Sequence, residues 1–279
     1  AEALLDDFEI MRNSYALNDQ SPLGSAAGFG SALPLDRLYS SHLLRFSRLQ
    51  VNSLYCQNSR GKVEAAVLCA LVAIQNTVSK LASDLLRFSS RELGFLTLPQ
   101  AMTTGSSIMP QKRNPDVLEL IRAKAAIVWA SRTAVQQLVT NLPSGYNRDY
   151  QLLKEPIVSS FAIVLSSLAM ASATMREAQW NEDKLYGSCT AEIYAADLAL
   201  EKAQQGIPFR DAYKEAMKDL EAVTVDKEFI RNRVDAYQTI GSMGQPAIAK
   251  LNNRLDKAKS IAKKWDDKEK EMIENLLSL

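Results

Sequence analysis

The chain has 279 residues, 33 Lys+Arg against 32 Asp+Glu, one histidine and an isoelectric point near 7.8. That length permits one large domain or two smaller ones with a substantial core, and the near-zero net charge gives no long-range pull on nucleic acid or an anionic membrane surface. The three cysteines, Cys56, Cys69 and Cys189, are scattered and lack CxxC spacing, which points away from a disulfide framework or a zinc site.

The first residues, AEALLDDFEIM, open inside a helical pattern and carry acidic side chains, with no secretory address. A glycine-rich stretch follows, SPLGSAAGFGSALPLDR from Ser21 to Arg37. No strand precedes it and GxGxxG is absent, so it reads as a connection between helices rather than a dinucleotide fingerprint. His42 stands alone on a helical segment, and a lone helical histidine is more often structural than catalytic. Then come three intervals that dominate the chain: Lys62 to Ser89, Asp116 to Leu142, and Ile157 to Trp180 behind Pro156. Free of internal Gly and Pro, each predicts a helix about 35 to 40 Å long. The first and third are apolar on nearly every face, which asks for many neighbours and predicts a symmetric oligomer built around a helical bundle. Their most apolar runs, Ala65 to Ile74 and Phe161 to Met175, fall short of the roughly 20 residues of a membrane span, so a soluble, cytoplasmic chain is expected. From residue 179 the composition turns polar and the helices shorten. An all-α protein with a long-helix domain at 1–178 and a small helical domain at 179–279 is therefore expected, the tail 251–279 forming an amphipathic surface helix.

Two loops carry the unusual residues. Between the first two long helices lies Gly94 to Pro115, rich in Thr, Ser, Gly and Pro, and a connection of about twenty residues inside a compact domain is usually functional or disordered. Gly105 and the small serines would let backbone N–H groups face an anion, Lys112 adds positive charge, and Asn114-Pro115-Asp116 looks like a helix start with Asn114 as cap. Together they suggest a cradle for a carboxylate or phosphate. The second loop, NLPSGYNRDYQLLKEP, has a turn, a candidate cap in Asn147, and Gln151 and Lys154 three residues apart on one face. No Ser/His/Asp arrangement and no metal cluster can be assembled, so the residues alone describe an anion-binding helical oligomer.

The run Gly105-Ser106-Ser107-Ile108-Met109-Pro110-Gln111-Lys112-Arg113-Asn114-Pro115 resembles the GSSxMPxKxNP signature of the fumarase/aspartase superfamily. Within it, SPLGSAAGFGSALPLDR, NLPSGYNRDYQLLKE and GIPFRDAY are most similar to the argininosuccinate lyases. The resemblance implies reversible elimination of fumarate from argininosuccinate to give arginine, by a homotetramer with neither metal nor organic cofactor and no nucleic-acid or membrane partner. It also assigns roles: Ser106 as the base, Lys112 and Asn114 as holders of the substrate carboxylate with Ser107 beside them, Glu119 as partner of a family histidine, and Tyr146, Gln151 and Lys154 as substrate contacts. That histidine belongs to a Thr-His-Leu-Gln-like segment expected upstream of Ala1, and His42 stands in a different context. The chain as given is therefore expected to be inactive alone. The competing expectations are a non-catalytic helical assembly protein of lyase ancestry and a lyase for another succinyl substrate.

Overall fold

A computed structural model describes residues 1–278. Eleven helices make up the described fold: α1 (Glu2–Asn18), α2 (Arg37–Leu43), α3 (Ser53–Asn58), α4 (Lys62–Phe88), α5 (Asp116–Leu138), α6 (Lys154–Glu177), α7 (Glu182–Gly187), α8 (Ala195–Gln204), α9 (Phe209–Asp219), α10 (Lys227–Ala236) and α11 (Ile248–Leu277). The strands are two-residue ladders: β1 (Gln20–Ser21) parallel to β2 (Arg48–Leu49), β3 (Leu96–Thr97) antiparallel to β6 (Gln179–Trp180), and β4 (Thr104–Gly105) antiparallel to β5 (Arg113–Asn114). The protein is all-α, as the Gly- and Pro-free intervals predict.

The chain divides into two compact units, one of residues 1–86, 100–177 and 249–279, the other of 87–99 and 178–248. A single boundary near residue 178 does not describe this division. Residues 249–279 join the larger unit because α11 is amphipathic and its apolar and charged groups meet α1. Trp265 stacks on Tyr15 at 4.4 Å and lies 5.7 Å from Phe8, Arg254 binds Asp6 at 2.6 Å, and the Lys268 ammonium donates to the Asp19 carboxylate.

The core of the larger unit lies where α4, α5 and α6 meet. Leu68, Leu71, Val72, Val128, Val135, Tyr150, Leu153 and Val164 form one buried cluster, with Met11 of α1 packed against it. α4 starts where Glu64 accepts the Gly61 N–H at 2.6 Å and pairs with Arg60 at 2.7 Å, so the backbone donors of its first turn are satisfied locally. Gly61 sits at φ +82°, and a Cβ there would come within 2.2 Å of Val139 Cγ1, which brings the start of α4 hard against the end of α5. Several polar groups in this core have partners close at hand: Gln75 donates to the Ile121 carbonyl at 2.9 Å, and the hydroxyls of Ser160 and Thr174 donate to the carbonyls of Pro156 and Met170 one turn back, whereas Gln75 Oε1 and the Ser167 hydroxyl are buried without a hydrogen-bond partner among the described residues.

α4 buries much of its circumference, but α6 buries one stripe, Ser160, Val164, Ser167, Ala171 and Thr174. Val158, Leu165, Leu120 and Ile127 stay exposed on α6 and α5. The helical stretches 53–88 and 148–177 are long and apolar enough to cross a membrane by length and composition, a property that core helices of soluble proteins share. Polar residues dilute their apolar runs without shortening the helices.

In the smaller unit, the β3–β6 ladder sits beside Phe88, whose ring lies 6.2 Å from both Phe95 and Trp180. The antiparallel pair α8 and α9 is tied by Lys202 to Glu215 and Asp219, and Tyr194 meets Phe229 of α10 edge to face at 5.1 Å. Burial of the Tyr194 ring, together with the neighbouring Cys189 thiol and Asp197 carboxylate, pushes its hydroxyl up to about 12.

Candidate active site

The Gly105–Pro115 run is a hairpin tip. β4 and β5 pair Thr104 with Asn114 and Gly105 with Arg113, so residues 106–112 form a closed loop rather than a loose connection. Within it the Lys112 N–H donates to the Met109 carbonyl at 3.0 Å. The Ser106 Oγ receives two backbone N–H groups, from Met109 at 3.1 Å and Ile108 at 3.3 Å. Small side chains and a glycine are what permit that approach, since a larger residue at 106 would fill the space where the two N–H groups converge. Donors pointed at an oxygen favour its charged form.

The helix after the hairpin starts one residue later than the sequence suggests. Pro115 occupies the cap position of α5 without a side-chain cap, while Asn114 is held in the β4–β5 ladder. The reason is the ladder itself: Asn114 adopts strand pairing, and the residue before a proline is biased towards extended backbone. The Asp116 carboxylate then accepts from the Thr104 hydroxyl, which closes the base of the hairpin onto the first turn of α5. Glu119 stands in that same first turn, exposed, and Lys112 is exposed as well. Among the described residues neither forms an ion pair.

The second predicted segment is also built. Residues 148–153 form a 3-10 turn that runs directly into α6. With three residues per turn, side chains at i and i+3 share a face. Tyr150 and Leu153, 3% and 0% exposed, point into the core, so Gln151 and Lys154 share the outer face. Gln151 Nε2 donates to the Tyr146 hydroxyl at 3.2 Å, which brings two of the three predicted contacts together, and Tyr146 is 47% exposed. Asn147 takes the cap position by backbone, but its amide donates to the carbonyls of Pro143 and Gly145 and closes the turn before it. Among the described residues no hydrogen bond or ion pair joins this segment to the 106–112 loop.

The glycine-rich stretch 21–37 has a built shape. Arg37 donates to the carbonyls of Leu23 at 2.8 Å, Gln50 at 2.8 Å and Val51 at 3.1 Å, pinning both ends of the stretch to the approach of α3. Gly24, at φ +74°, allows this: a Cβ there would sit 2.8 Å from Arg37 Cγ. Ala26 and Ala27 hold φ of 47° and 56°, a conformation costing of order 1–2 kcal/mol per residue outside glycine. Phe29, 85% exposed, is presented at the tip. His42 lies exposed on α2. Groups of three or more potential metal ligands are absent among the described residues.

Sequence reasoning missed Arg37 and Asn58, whose side chains bind distant backbone. The only signal for Arg37 was its place at the end of a motif, and Asn58 gave none.

A model of the family described as Lyase matches residues 1–129. The chain is 47% identical over 216 residues to an argininosuccinate lyase of Stenotrophomonas maltophilia strain R551-3, and 48% identical over 216 residues to one of Xanthomonas campestris pv. campestris strain B100. Each match covers 77% of this chain and 50% of the relative, so the chain spans about half the length of the curated relatives it matches. Among solved structures, EDDS lyase in complex with formate superposes with a TM-score of 0.82 at 20% identity, over 99% of this chain and 62% of the other. A class II fumarase from Schistosoma mansoni superposes at 0.63 with 14% identity, over 82% and 57%. The fold is thus that of the fumarate-lyase helical bundles, and by sequence the chain is similar to the lyase family over residues 1–129 and to argininosuccinate lyases over 216 residues.

Proposed function

We propose that this chain carries the signature-loop part of an argininosuccinate lyase, which eliminates fumarate from argininosuccinate to leave arginine. The observation that carries the reading is the environment of Ser106, whose Oγ accepts two backbone N–H groups at the tip of a paired hairpin. Elimination takes a proton from the carbon next to a carboxylate and builds negative charge on that carboxylate. Serine is a weak base at its ordinary pKa, and two N–H donors aimed at its oxygen favour the alkoxide that takes the proton. Lys112, without an ion pair among the described residues and on the same loop, supplies a positive charge for the developing carboxylate, with Asn114 and Ser107 as further donors. Glu119 orients a histidine supplied from outside these residues, and Tyr146, Gln151 and Lys154 hold the remainder of the substrate.

The exposure of these groups fits a site completed by further chain or further subunits. Exposed Val158, Leu165, Leu120 and Ile127 on long helices support a homotetramer with a helical centre, because contiguous apolar surface on such helices gains by burial at about 25 cal/mol per Å².

The test is fumarate release from argininosuccinate by the purified 279-residue chain, beside the same chain extended upstream to the length of its relatives. Turnover in the extended chain and none in the shorter one is expected. No turnover in an extended chain that assembles normally overturns the reading in favour of an assembly protein, and preference for adenylosuccinate in the same assay reassigns the substrate.

A further inference from the structure

Three consecutive elements at the α3–α4 junction grip the segment that carries Tyr146 and Gln151. Asn58, the last residue of α3, accepts the Gly145 N–H on Oδ1 at 2.8 Å and donates from Nδ2 to the Ser144 hydroxyl at 3.1 Å. Two residues on, the Arg60 guanidinium lies 5.6 Å from the centre of the Tyr150 ring. Gly61 then meets Val139, where α5 gives way to the loop. The turn is thus fixed at its start by packing, at its end by a buried tyrosine, and in its middle by one amide side chain that uses both its acceptor and its donor.

Tyr146 follows directly after Gly145, at φ 111°, whose carbonyl accepts from Asn147 Nδ2 at 3.3 Å within the turn, while a Cβ at Gly145 would meet no atom within 4 Å. The Tyr146 ring is about half exposed, and among the described residues its hydroxyl has one hydrogen bond, from Gln151, itself exposed. Within the segment the Asn147 amide closes the turn, and Asn58 is the side chain that ties its Ser144–Gly145 backbone to α3. We infer that Asn58 is a positioning residue, which sets the backbone at Ser144–Gly145 and through it aims Tyr146 and Gln151 at the substrate. The inference rests on the proposed function for its substrate, but its geometry does not.

The experiment uses the upstream-extended chain with Asn58→Ala and Asn58→Asp, measuring KM and kcat for argininosuccinate together with amide hydrogen exchange over residues 143–147. Losing the clamp is expected to raise KM roughly ten-fold in Asn58→Ala, the equivalent of about one net hydrogen bond. kcat should stay within about two-fold, since Asn58 does not touch the reacting atoms. Asn58→Asp keeps the acceptor for the Gly145 N–H and should recover much of the KM, and exchange over 143–147 should quicken in Asn58→Ala while α5 stays protected. A wild-type KM in Asn58→Ala overturns the inference. So does a KM rise matched by an equal fall in kcat and a lowered Tm that Asn58→Asp fails to restore, which is the pattern of general destabilisation. If the wild-type extended chain has no turnover, the proposed function falls on its own, and unchanged exchange over 143–147 in Asn58→Ala then overturns the clamp as well, while quickened exchange upholds it.

Discussion

Replacing Gly61 by alanine tests the packing that holds the segment carrying Tyr146 and Gln151 in place. The added Cβ would lie 2.2 Å from Val139 Cγ1 and 2.9 Å from Cγ2, distances no carbon pair tolerates, at a backbone with φ +82°. The left-handed conformation costs an L-residue about 1 kcal/mol relative to glycine. Overpacking against a side chain that is itself part of the core rim costs about 1–3 kcal/mol more. Gly61→Ala should therefore lose about 2–4 kcal/mol of stability in urea denaturation, read as a lower midpoint at an unchanged slope. Val139→Ala removes both clashing methyls and leaves its own Cβ 3.0 Å from the new one, so the double variant should recover most of the steric share and retain the backbone share of about 1 kcal/mol. The coupling between the two sites then exceeds about 1 kcal/mol with a stabilising sign. A Gly61→Ala variant within about 0.5 kcal/mol of the parent, or a double variant whose losses simply add, would refute the close approach of α4 and the end of α5.

In the extended chain Ser106→Ala should lower kcat by roughly 10²–10⁴-fold, the range for losing a positioned proton-transfer group, while sedimentation shows unchanged assembly. Lys112→Ala should raise KM and lower kcat together, and unchanged values for both would remove Lys112 from the site. The Asp19 carboxyl is pushed up by burial, but hydrogen bonds from Lys268 and Ser47 outweigh that and hold it below its ordinary value. A depressed carboxyl contributes stability above its unfolded pKa and loses it as pH falls through the folded one, so this contribution is present at neutral pH and fades below about pH 4. Lys268→Met should cost about 1 kcal/mol at pH 7 and flatten the acid side of the stability curve, checked by urea midpoints from pH 7 to pH 3. Trp265→Ala, which removes the stack on Tyr15 and the contact with Phe8, should cost about 2 kcal/mol and speed amide exchange in α11.

The all-α class and the three long helices were legible in the sequence because they depend on local facts: where Gly and Pro are absent, and where apolar residues recur. α4 begins at Lys62, where the Gly- and Pro-free interval begins, since that start is set by the residues just before it. The signature loop was legible for a related reason, as its eleven residues carry their own turn chemistry and need only their immediate neighbours Thr104 and Asp116 to close the hairpin. Where a local signal met a pairing partner it gave way, and Asn114 left its expected cap for a ladder with Thr104.

What lay beyond the sequence was every contact between residues far apart in the chain. The amphipathic pattern of 251–279 says that the helix has an apolar face, but not that Trp265 of that face meets Tyr15 two hundred and fifty positions earlier, which places α11 in the larger unit. Asn58 reads as an ordinary polar helix end until the fold carries Ser144 and Gly145 to it across 86 and 87 positions. Periodicity and turn chemistry act over a few residues and can be read along the chain, whereas a side chain's partner is chosen by the packing of whole helices, which only the tertiary structure decides.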